Sequence, residues 1–332
     1  MVKKVTLGDA NVTAIAYGCM GLSQAYEPCD GEQGIRTLNA VLDMGYDHLD
    51  TAALYGFGKN EELLNKAIGH RRSEYFLASK CGLYRDATGK REINGRPEVL
   101  TKTCEDSLRR LGTDCIDLYY LHRIDLNVPV EDSIGALMNM RDQGKIRFIG
   151  LSEPSPETLE KALNLCQIAA VQSELSLWTR SPNDTVADIC GRKGIAFVSY
   201  SPLGRGFFGG KVRDTAVLTE KDIRHTMPRF QADNFASNLK RVDELSALAD
   251  ENGITVAQLA LAWVMAQGDH ILAIPGTRFE DRARENLDAA RSLLTDEVIA
   301  HAGRIVSPES TAGERWTETI LREVDSEQNR FR

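Results

Sequence analysis

The sequence lacks several features that mark whole classes of protein. No apolar run approaches the ~20 residues that span a bilayer, and the first residues, M-V-K-K-V-T-L-G-D, lack the apolar centre of a signal peptide. The seven cysteines are scattered, contain no C-x-x-C and are odd in number. This usage predicts reduced thiols and a cytoplasmic protein that does not associate with membranes.

A strong charge of one sign and clusters of metal ligands are missing too. The 332 residues include 40 Lys and Arg against 48 Asp and Glu, a net charge of −8 with no basic block, so we expect no nucleic-acid partner. The six histidines show no metal-ligand spacing, and we expect no metal. What is present is an ordinary globular composition, 42% apolar and 27% charged, with enough apolar surface for a large core.

Alternation of short apolar segments with helical patterns predicts the secondary structure. Residues 3–7 and 12–15 flank a Gly-Asp-Ala-Asn turn and predict a hairpin. The strands predicted after it are 15–19, 46–50, 75–79, 116–121, 147–150, 169–172, 196–200 and 271–274. The helices predicted between and after them lie near 31–44, 59–69, 97–111, 131–143, 156–164, 184–193, 239–251 and 281–291.

Eight β-α units with short links indicate an α/β protein with one closed (β/α)8 barrel, a TIM barrel, over residues 1–332. A doubly wound open sheet is the alternative, but it usually has fewer strands and a nucleotide loop after the first, which is missing here. Residues 203–238 form a long loop after strand seven, and 254–268 an extra apolar helix. Long loops of this kind usually lie on the active face of a barrel. Residues 307–332 form a polar tail expected to wrap the surface.

Side chains capable of chemistry stand at the ends of three consecutive predicted strands. Strand two ends on Asp50 and is followed by Tyr55, strand three runs into Lys80, and strand four runs into His122. Neighbouring strands lie ~4.8 Å apart, so the four side chains can converge at the carboxyl edge, where barrel active sites lie. His48, two residues before Asp50, is predicted to be an interior polar residue with a partner.

These residue types suit the protonation of a carbonyl oxygen. A tyrosine, with an ordinary pKa near ~10, is a poor acid at neutral pH, but a nearby lysine ammonium favours the phenolate and lowers that pKa. Asp50 would keep Lys80 charged, and His122 would hydrogen-bond the carbonyl oxygen or share the proton. No side chain can give hydride to the carbonyl carbon, so a nicotinamide cofactor is implied. Taken singly, each residue has a structural interpretation: an ion pair, a loop anchor or a core histidine.

Two loops are the predicted cofactor site. The segment G-R-G-F-F-G at 204–209 matches G-x-G-x-x-G, but no helix begins there and no βαβ unit surrounds it, so it is not a Rossmann fingerprint. It follows strand seven, where barrels commonly bind phosphate, and Arg205 would lie over a pyrophosphate. Residues 274–279 lead into a helix N-terminus that favours anions. Arg278 and Arg282 there indicate an extra phosphate, hence NADPH rather than NADH.

Together these motifs resemble the aldo-keto reductases, in the family's order over about residues 5–294. The motifs are D-T-A-x-x-Y-G-x-G-x-N-E at 50–61, S-K at 79–80, L-H at 121–122, G-L-S at 150–152, S-P-L-G-R-G at 201–206 and I-P-G-T at 274–277. The variants G-L-S-E, Q-S-E-x-S-L-W-T-R and Y-Y-x-H-R-x-D look most like the branch with plant auxin-induced-protein-like reductases and related bacterial and fungal enzymes.

The resemblance implies a (β/α)8 barrel that binds NADPH without a Rossmann domain and reduces a carbonyl, with Tyr55 as proton donor beside Asp50, Lys80 and His122. The cofactor contacts that it implies are Met20, Gly21 and Asp50 beside the cofactor; Ser152 and Gln172 at the carboxamide; Tyr200 on the nicotinamide ring; Ser201, Pro202, Leu203, Arg205 and Gly206 at the pyrophosphate; Gly276, Thr277, Arg278 and Arg282 at the 2′-phosphate; and Glu285 and Asn286 at the adenine.

Three positions depart from the family's usual pattern. Glu153 follows the Ser of G-L-S where Asn is frequent, and a carboxylate cannot donate to the carboxamide. Leu175 replaces the usual Tyr of Q-S-E-Y, which predicts an altered pocket. Phe279 stands where a second basic residue is frequent, which predicts a weaker preference for NADPH.

The expected partner is a small aldehyde or ketone, and the chain is compatible with a monomer or a homo-oligomer. The candidate pocket residues are 22–29 with Tyr26, 123–127, Trp178, Phe207, Phe208 and the tail around Trp316. Two other functions fit parts of the sequence. One is a redox-sensing regulatory subunit that binds NADPH, and the other is a lyase that forms a Schiff base on Lys80.

Overall fold

The computed structural model describes residues 2–26, 29–85, 91–180, 183–292 and 294–331. The chain begins with an antiparallel hairpin of β1 (Lys4–Leu7) and β2 (Ala10–Thr13). The later strands are β3 (Tyr17–Gly18), β4 (His48–Asp50), β5 (Phe76–Cys81), β6 (Leu83–Arg85), β7 (Arg91–Ile93), β8 (Ile116–Leu121), β9 (Ile146–Ser152), β10 (Ala170–Glu174), β11 (Ala196–Tyr200) and β12 (Ile271–Ala273).

Eight of these strands form the barrel. They pair in parallel in the order β3-β4-β5-β8-β9-β10-β11-β12. A bridge between Ile15 and Ala273, with Ala16 N donating to Ala273 O at 2.8 Å, joins the first strand to the last. Every residue of β5 and β8 is buried, as expected for parallel strands covered on both faces. The predicted (β/α)8 barrel with its N-terminal hairpin is confirmed.

The helices follow the predicted order, and their ends follow the sequence signals. The side chain of Ser155 accepts a hydrogen bond from Thr158 N at 3.2 Å, with Pro156 as the first helical residue. Gly112 ends its helix with a φ of 63°. The helices are α1 (Gly31–Met44), α2 (Lys59–Ile68), α3 (Pro97–Leu111), α4 (Val130–Asp142), α5 (Pro156–Leu165), α6 (Asn183–Lys193), α7 (Ala232–Glu251), α8 (Val256–Met265), α9 (Glu280–Asp288), α10 (Asp296–Ile305) and α11 (Glu318–Leu321).

Some elements differ from the predictions. The antiparallel ribbon of β6 and β7 was not predicted, because each strand is too short to show alternation. Helix α7 begins at Ala232 rather than near residue 239, and α10 and α11 were not predicted. The tail does not simply wrap the surface, because Arg315 and Glu327 within it are buried. Among the helices described, none has the length and apolarity needed to cross a bilayer.

His48 does not have the partner that its position predicted. Neither ring nitrogen has a hydrogen-bond partner among the described residues. The ring packs edge-on against Phe76, with centroids 5.5 Å apart. Burial lowers the pKa of His48 to about 4, so this histidine is a neutral part of the barrel interior.

Candidate active site

A cavity of about 470 Å³ opens at the carboxyl ends of the barrel strands, on the side where β4, β5 and β8 end. Its wall includes Asp50, Tyr55 and His122. The other predicted cofactor residues that line it are Met20, Gly21, Ser152, Gln172, Tyr200, Ser201, Pro202, Leu203, Arg205, Gly206 and Gly276.

Lys80 and Asp50 form a fully buried ion pair at the floor of this cavity. Lys80 is 0% exposed, and its Nζ donates to Asp50 Oδ1 and to Thr51 O, the latter at 2.8 Å. Gln172 Nε2 donates to Asp50 Oδ2 at 2.8 Å. Burial lowers the pKa of Lys80, but the Asp50 carboxylate and Tyr55 outweigh it and raise this pKa above its ordinary value. Lys80 is therefore an ammonium at neutral pH.

Tyr55 begins a tight turn, Tyr55–Gly58, that follows β4. In this turn Gly56 and Gly58 have φ angles of 57° and 86°, a left-handed conformation that glycine adopts readily. The turn brings Tyr55 OH to 3.5 Å from Lys80 Nζ. Burial raises the pKa of Tyr55 and Lys80 only partly opposes it, so the predicted lowering is wrong. The phenol is protonated at neutral pH, which is the state a proton donor requires.

The start of α2 fixes the turn that carries Tyr55. Helix α2 begins at Lys59, as predicted. Asn60 Oδ1 accepts from Thr51 Oγ1 at 2.6 Å, and its Nδ2 donates to Cys19 O at 2.9 Å. These bonds fix the first turn of α2 to the residues that directly follow β3 and β4.

His122 follows β8, and its ring lies edge-on to Tyr55 with centroids 6.0 Å apart. Burial, together with Lys80 and Arg123, lowers the pKa of His122 well below its ordinary value, so the ring is neutral. Its Nδ1 has no hydrogen-bond partner among the described residues. Arg123 Nη1 donates to His122 O at 2.7 Å and to Ser152 Oγ at 3.2 Å. This arginine links His122 to a predicted carboxamide residue.

The loops after β11 and β12 form the rest of the cavity wall. A Cβ on Gly276 would lie 2.5 Å from Gly18 O, so only glycine permits this approach of the loop to β3. The Arg205 guanidinium lies 5.5 Å from the Tyr200 ring centroid and 4.5 Å from that of Trp316. Tyr200 OH is buried without a partner in the described part of the chain. A polar ligand in this groove would find an open donor and a cation.

The predicted phosphate residues lie at the start of α9, outside the cavity wall. Arg278 and Arg282 flank the Phe279 ring, with guanidinium carbons 5.1 and 5.2 Å from its centroid. No side chain caps the first amides of α9, so the helix N-terminus is open to an anion. Arg278 O accepts from Thr37 Oγ1 at 3.0 Å, which holds the backbone. The predicted residues placed here are Thr277, Arg278 and Arg282, with Glu285 and the buried Asn286 further along the helix.

Four residues predicted to shape the pocket lie in the core instead. Trp178, Phe207 and Phe208 are buried, and the rings of Trp178 and Phe207 stack with centroids 4.7 Å apart. The loop after β11 folds back on itself and buries its aromatic rings, because packed rings are more stable than rings exposed to solvent. Leu175 is also buried and outside the wall. The Leu175 side chain itself therefore does not line the cavity.

The other pocket predictions agree with the structure in part: residues 124–127 of the predicted range 123–127 do not line this cavity, and several lining residues were missed. Tyr26, Arg123 and Trp316 line the cavity, whereas residues 27 and 28 of the predicted range 22–29 lie outside the described residues. The missed residues include Leu54, Leu83, Arg91, Lys221, Ile223 and Ile320. Leu83 and Arg91 belong to the ribbon of β6 and β7, and Ile320 belongs to the tail. The sequence around them carries no signal that places them in the cavity wall.

Glu153 does not face the predicted carboxamide site. Its two carboxylate oxygens accept hydrogen bonds from Arg315 in the tail, at 3.1 and 2.9 Å.

In the parts of the chain that the structure describes, no group of three His, Cys, Asp or Glu residues could hold a metal ion. All seven cysteines are free thiols.

Comparisons with known proteins agree with this architecture. Residues 14–306 match the model of the aldo/keto reductase family. The Aldo-keto reductase yakc [NADP(+)] of Schizosaccharomyces pombe is 39% identical over 316 residues, which are 93% of this chain and 93% of that protein. The structure of the glycerol dehydrogenase AKR11B4 from Gluconobacter oxydans is 30% identical, with a TM-score of 0.84 over 92% of this chain and 96% of that one. An aldo-keto reductase from Klebsiella pneumoniae in complex with NADPH is 26% identical, with a TM-score of 0.72 over 95% and 99% of the two chains.

Proposed function

Because this chain belongs to the aldo/keto reductase family, we propose that it is an NADPH-dependent oxidoreductase that reduces the carbonyl group of small aldehydes or ketones to alcohols. The observation that carries this proposal is the buried Lys80–Asp50 ion pair, with the Tyr55 hydroxyl 3.5 Å from Lys80 at the floor of a cavity. When bound, NADPH supplies the hydride that the carbonyl carbon accepts.

Tyr55 donates the proton that the carbonyl oxygen takes up as it becomes an alcohol. The phenol is protonated at neutral pH, and the Lys80 ammonium stabilises the phenolate that remains after transfer. Asp50 keeps Lys80 protonated and in place. His122 is neutral, so it orients the substrate oxygen through a hydrogen bond rather than through a charge.

The other predicted residues hold the cofactor in an extended groove from the strand ends to α9. Ser152 and Gln172 bind the carboxamide, and Tyr200 packs against the nicotinamide ring. The loop after β11, residues 201–206, binds the pyrophosphate through backbone amides and Arg205. At the far end of the groove, Thr277, Arg278 and Arg282 bind the 2′-phosphate at the open N-terminus of α9, as Arg favours phosphate.

Of the two alternative functions, the lyase fits this structure less well, and the regulatory subunit would use the same site. A Schiff-base lyase needs a neutral lysine amine, but Lys80 is fully buried against Asp50 and its pKa is raised. A regulatory subunit would bind NADPH in the same groove, and only turnover distinguishes it from an enzyme.

The test compares wild-type protein with Tyr55→Phe on a panel of aldehydes and ketones, with NADPH consumption followed by absorbance and NADH in parallel. We expect Tyr55→Phe to lower kcat by about 100-fold or more, the usual contribution of a general acid, and to bind NADPH as tightly as wild type. Tyr75→Phe, at the opposite end of the barrel before β5, is the matched control and should turn over normally. Full activity of Tyr55→Phe would exclude its role as proton donor, and NADPH binding without turnover in wild type would favour the regulatory subunit.

A further inference from the structure

A buried ionic cluster fastens the C-terminal segment 314–331 to the carboxyl ends of β9 and β10. Arg315 is 6% exposed, and besides its two bonds to Glu153 its Nε donates to Glu327 Oε1 at 2.8 Å. Glu174, the last residue of β10, lies 3.6 Å from Arg315 Nη1. One arginine of the tail is therefore shared among carboxylates of β10, of the residue after β9 and of the tail itself.

The Glu153 carboxylate is charged, and its backbone is committed to the tail. Burial raises the pKa of Glu153, but Arg315 more than offsets it and lowers the pKa to about 2. Ser326 donates to Glu153 twice, through Oγ to Oε2 at 2.7 Å and through N to the carbonyl oxygen at 3.2 Å. Nearby, Ser155 N donates to Asp325 Oδ2 at 2.6 Å.

Glu153 also has a left-handed backbone, with a φ of 53°. Residues with a long side chain seldom adopt this conformation, and such outliers gather at functional sites. Ser152, immediately before it, lines the cavity. The turn therefore lets one residue face the cavity while the next binds the tail.

The same cluster holds a wall of the cavity. Trp316 directly follows Arg315, and both Trp316 and Ile320 of α11 line the cavity. The Trp316 ring lies 4.5 Å from the Arg205 guanidinium carbon. Apolar side chains of Leu54, Leu83 and Ile223 line the same space. A substrate whose remote part is an apolar or aromatic ring fits this wall, whereas a short aliphatic one has little apolar surface to bury against it.

We propose that Glu153 is a positioning residue that, through Arg315, holds Trp316 and Ile320 as the wall that selects carbonyl compounds with an apolar or aromatic ring. The selectivity rests on the proposed reductase function, but the fastening of the tail does not. Loss of the Glu153 charge should free the tail, remove the wall and leave the Tyr55 chemistry as it is.

The test measures Glu153→Gln in the full chain by hydrogen exchange of the tail and by steady-state kinetics. Losing charge-assisted bonds should speed amide exchange in residues 314–331 by about tenfold. The KM for benzaldehyde should rise by about as much, while kcat and the KM for propanal stay near wild type. Glu318→Gln breaks an exposed ion pair of the same tail with Arg322, and should change each value little.

One further variant and one further measurement keep the test decisive. If Glu153→Gln does not fold, Ser326→Ala removes one of its bonds and should produce a smaller change in the same direction. If wild type reduces no carbonyl, the proposed function fails, but tail exchange and benzaldehyde binding by tryptophan fluorescence still decide the positioning role. Unchanged tail exchange in Glu153→Gln, or an equal rise of KM for benzaldehyde and propanal, would overturn the proposal.

Discussion

Replacing Asp50 by Asn should leave the Lys80 ammonium in the barrel floor without a counter-charge. The side chains of this pair are 0% and 2% exposed, so water cannot take the place of the carboxylate. Removing one partner of a buried pair costs roughly 3–5 kcal/mol of unfolding free energy. With an unfolding entropy of roughly 2.1 cal/mol/K per residue, or about 0.7 kcal/mol/K for 332 residues, Tm should fall by about 4–7 °C.

The loss should depend on pH in a defined direction. In the wild type the pKa of Lys80 is raised, so the pair stabilises the fold below the ordinary lysine pKa of ~10.4 and loses this effect only as pH rises through the folded-state value. In Asp50→Asn, burial acts with little opposition and should depress the pKa of Lys80. Its penalty is then largest at low pH and shrinks as pH rises towards ~10. The difference in unfolding free energy between wild type and Asp50→Asn should therefore narrow as pH rises.

Reversible urea unfolding between pH 6 and 9 measures the loss of unfolding free energy and its dependence on pH, and thermal unfolding measures Tm. Asp243→Asn is the matched control, because the Arg213–Asp243 pair has a 2.6 Å contact but side chains that are 49% and 57% exposed. It should cost less than about 1 kcal/mol. Adding Lys80→Met to Asp50→Asn should recover stability, because the uncompensated charge is gone. An equally small loss in both Asn variants, or a gap that widens with pH, would refute the reasoning.

Four other substitutions test separate parts of the structure. Arg278→Ala and Arg282→Ala should each weaken NADPH binding about tenfold or more and spare NADH in fluorescence titrations; equal losses would contradict a 2′-phosphate role. Gly276→Ala should lower the unfolding free energy in urea by about 1–3 kcal/mol, because its Cβ would meet the carbonyl at the end of β3, whereas Gly31→Ala meets nothing within 4 Å and should be neutral. Phe207→Ala should lower the unfolding free energy by about 3–5 kcal/mol and leave KM unchanged. A raised KM would contradict this prediction, because it would place the Phe207 ring in the pocket.

The convergence of Asp50, Tyr55, Lys80 and His122 could be predicted because it depends on the order of the strands along the chain. Asp50 ends β4, His122 directly follows β8, and Lys80 is the last residue but one of β5; these strands are neighbours in the sheet. Parallel strands joined by helices end at the same edge, so residues at successive strand ends meet without further information. The glycines that turn the chain at Tyr55 are also visible in the sequence.

Protonation states could not be predicted in this way. The argument from charge gave Tyr55 a lowered pKa, but burial dominates and raises it. The same cause leaves His48 neutral and without a partner. Desolvation depends on every group that packs around a side chain, most of them distant in sequence.

By itself, the sequence determined the barrel, the family and the place of four candidate catalytic residues at the carboxyl edge of the strands, because periodicity, strand order and local motifs are properties of short segments. The tertiary structure alone decided that Trp178 and Phe207 pack in the core, that a ribbon lines the cavity and that Glu153 binds the tail. These outcomes join parts of the chain that lie far apart, such as Glu153 and Arg315. A buried charge acquires its partner only when the chain has folded, and no local pattern names that partner beforehand.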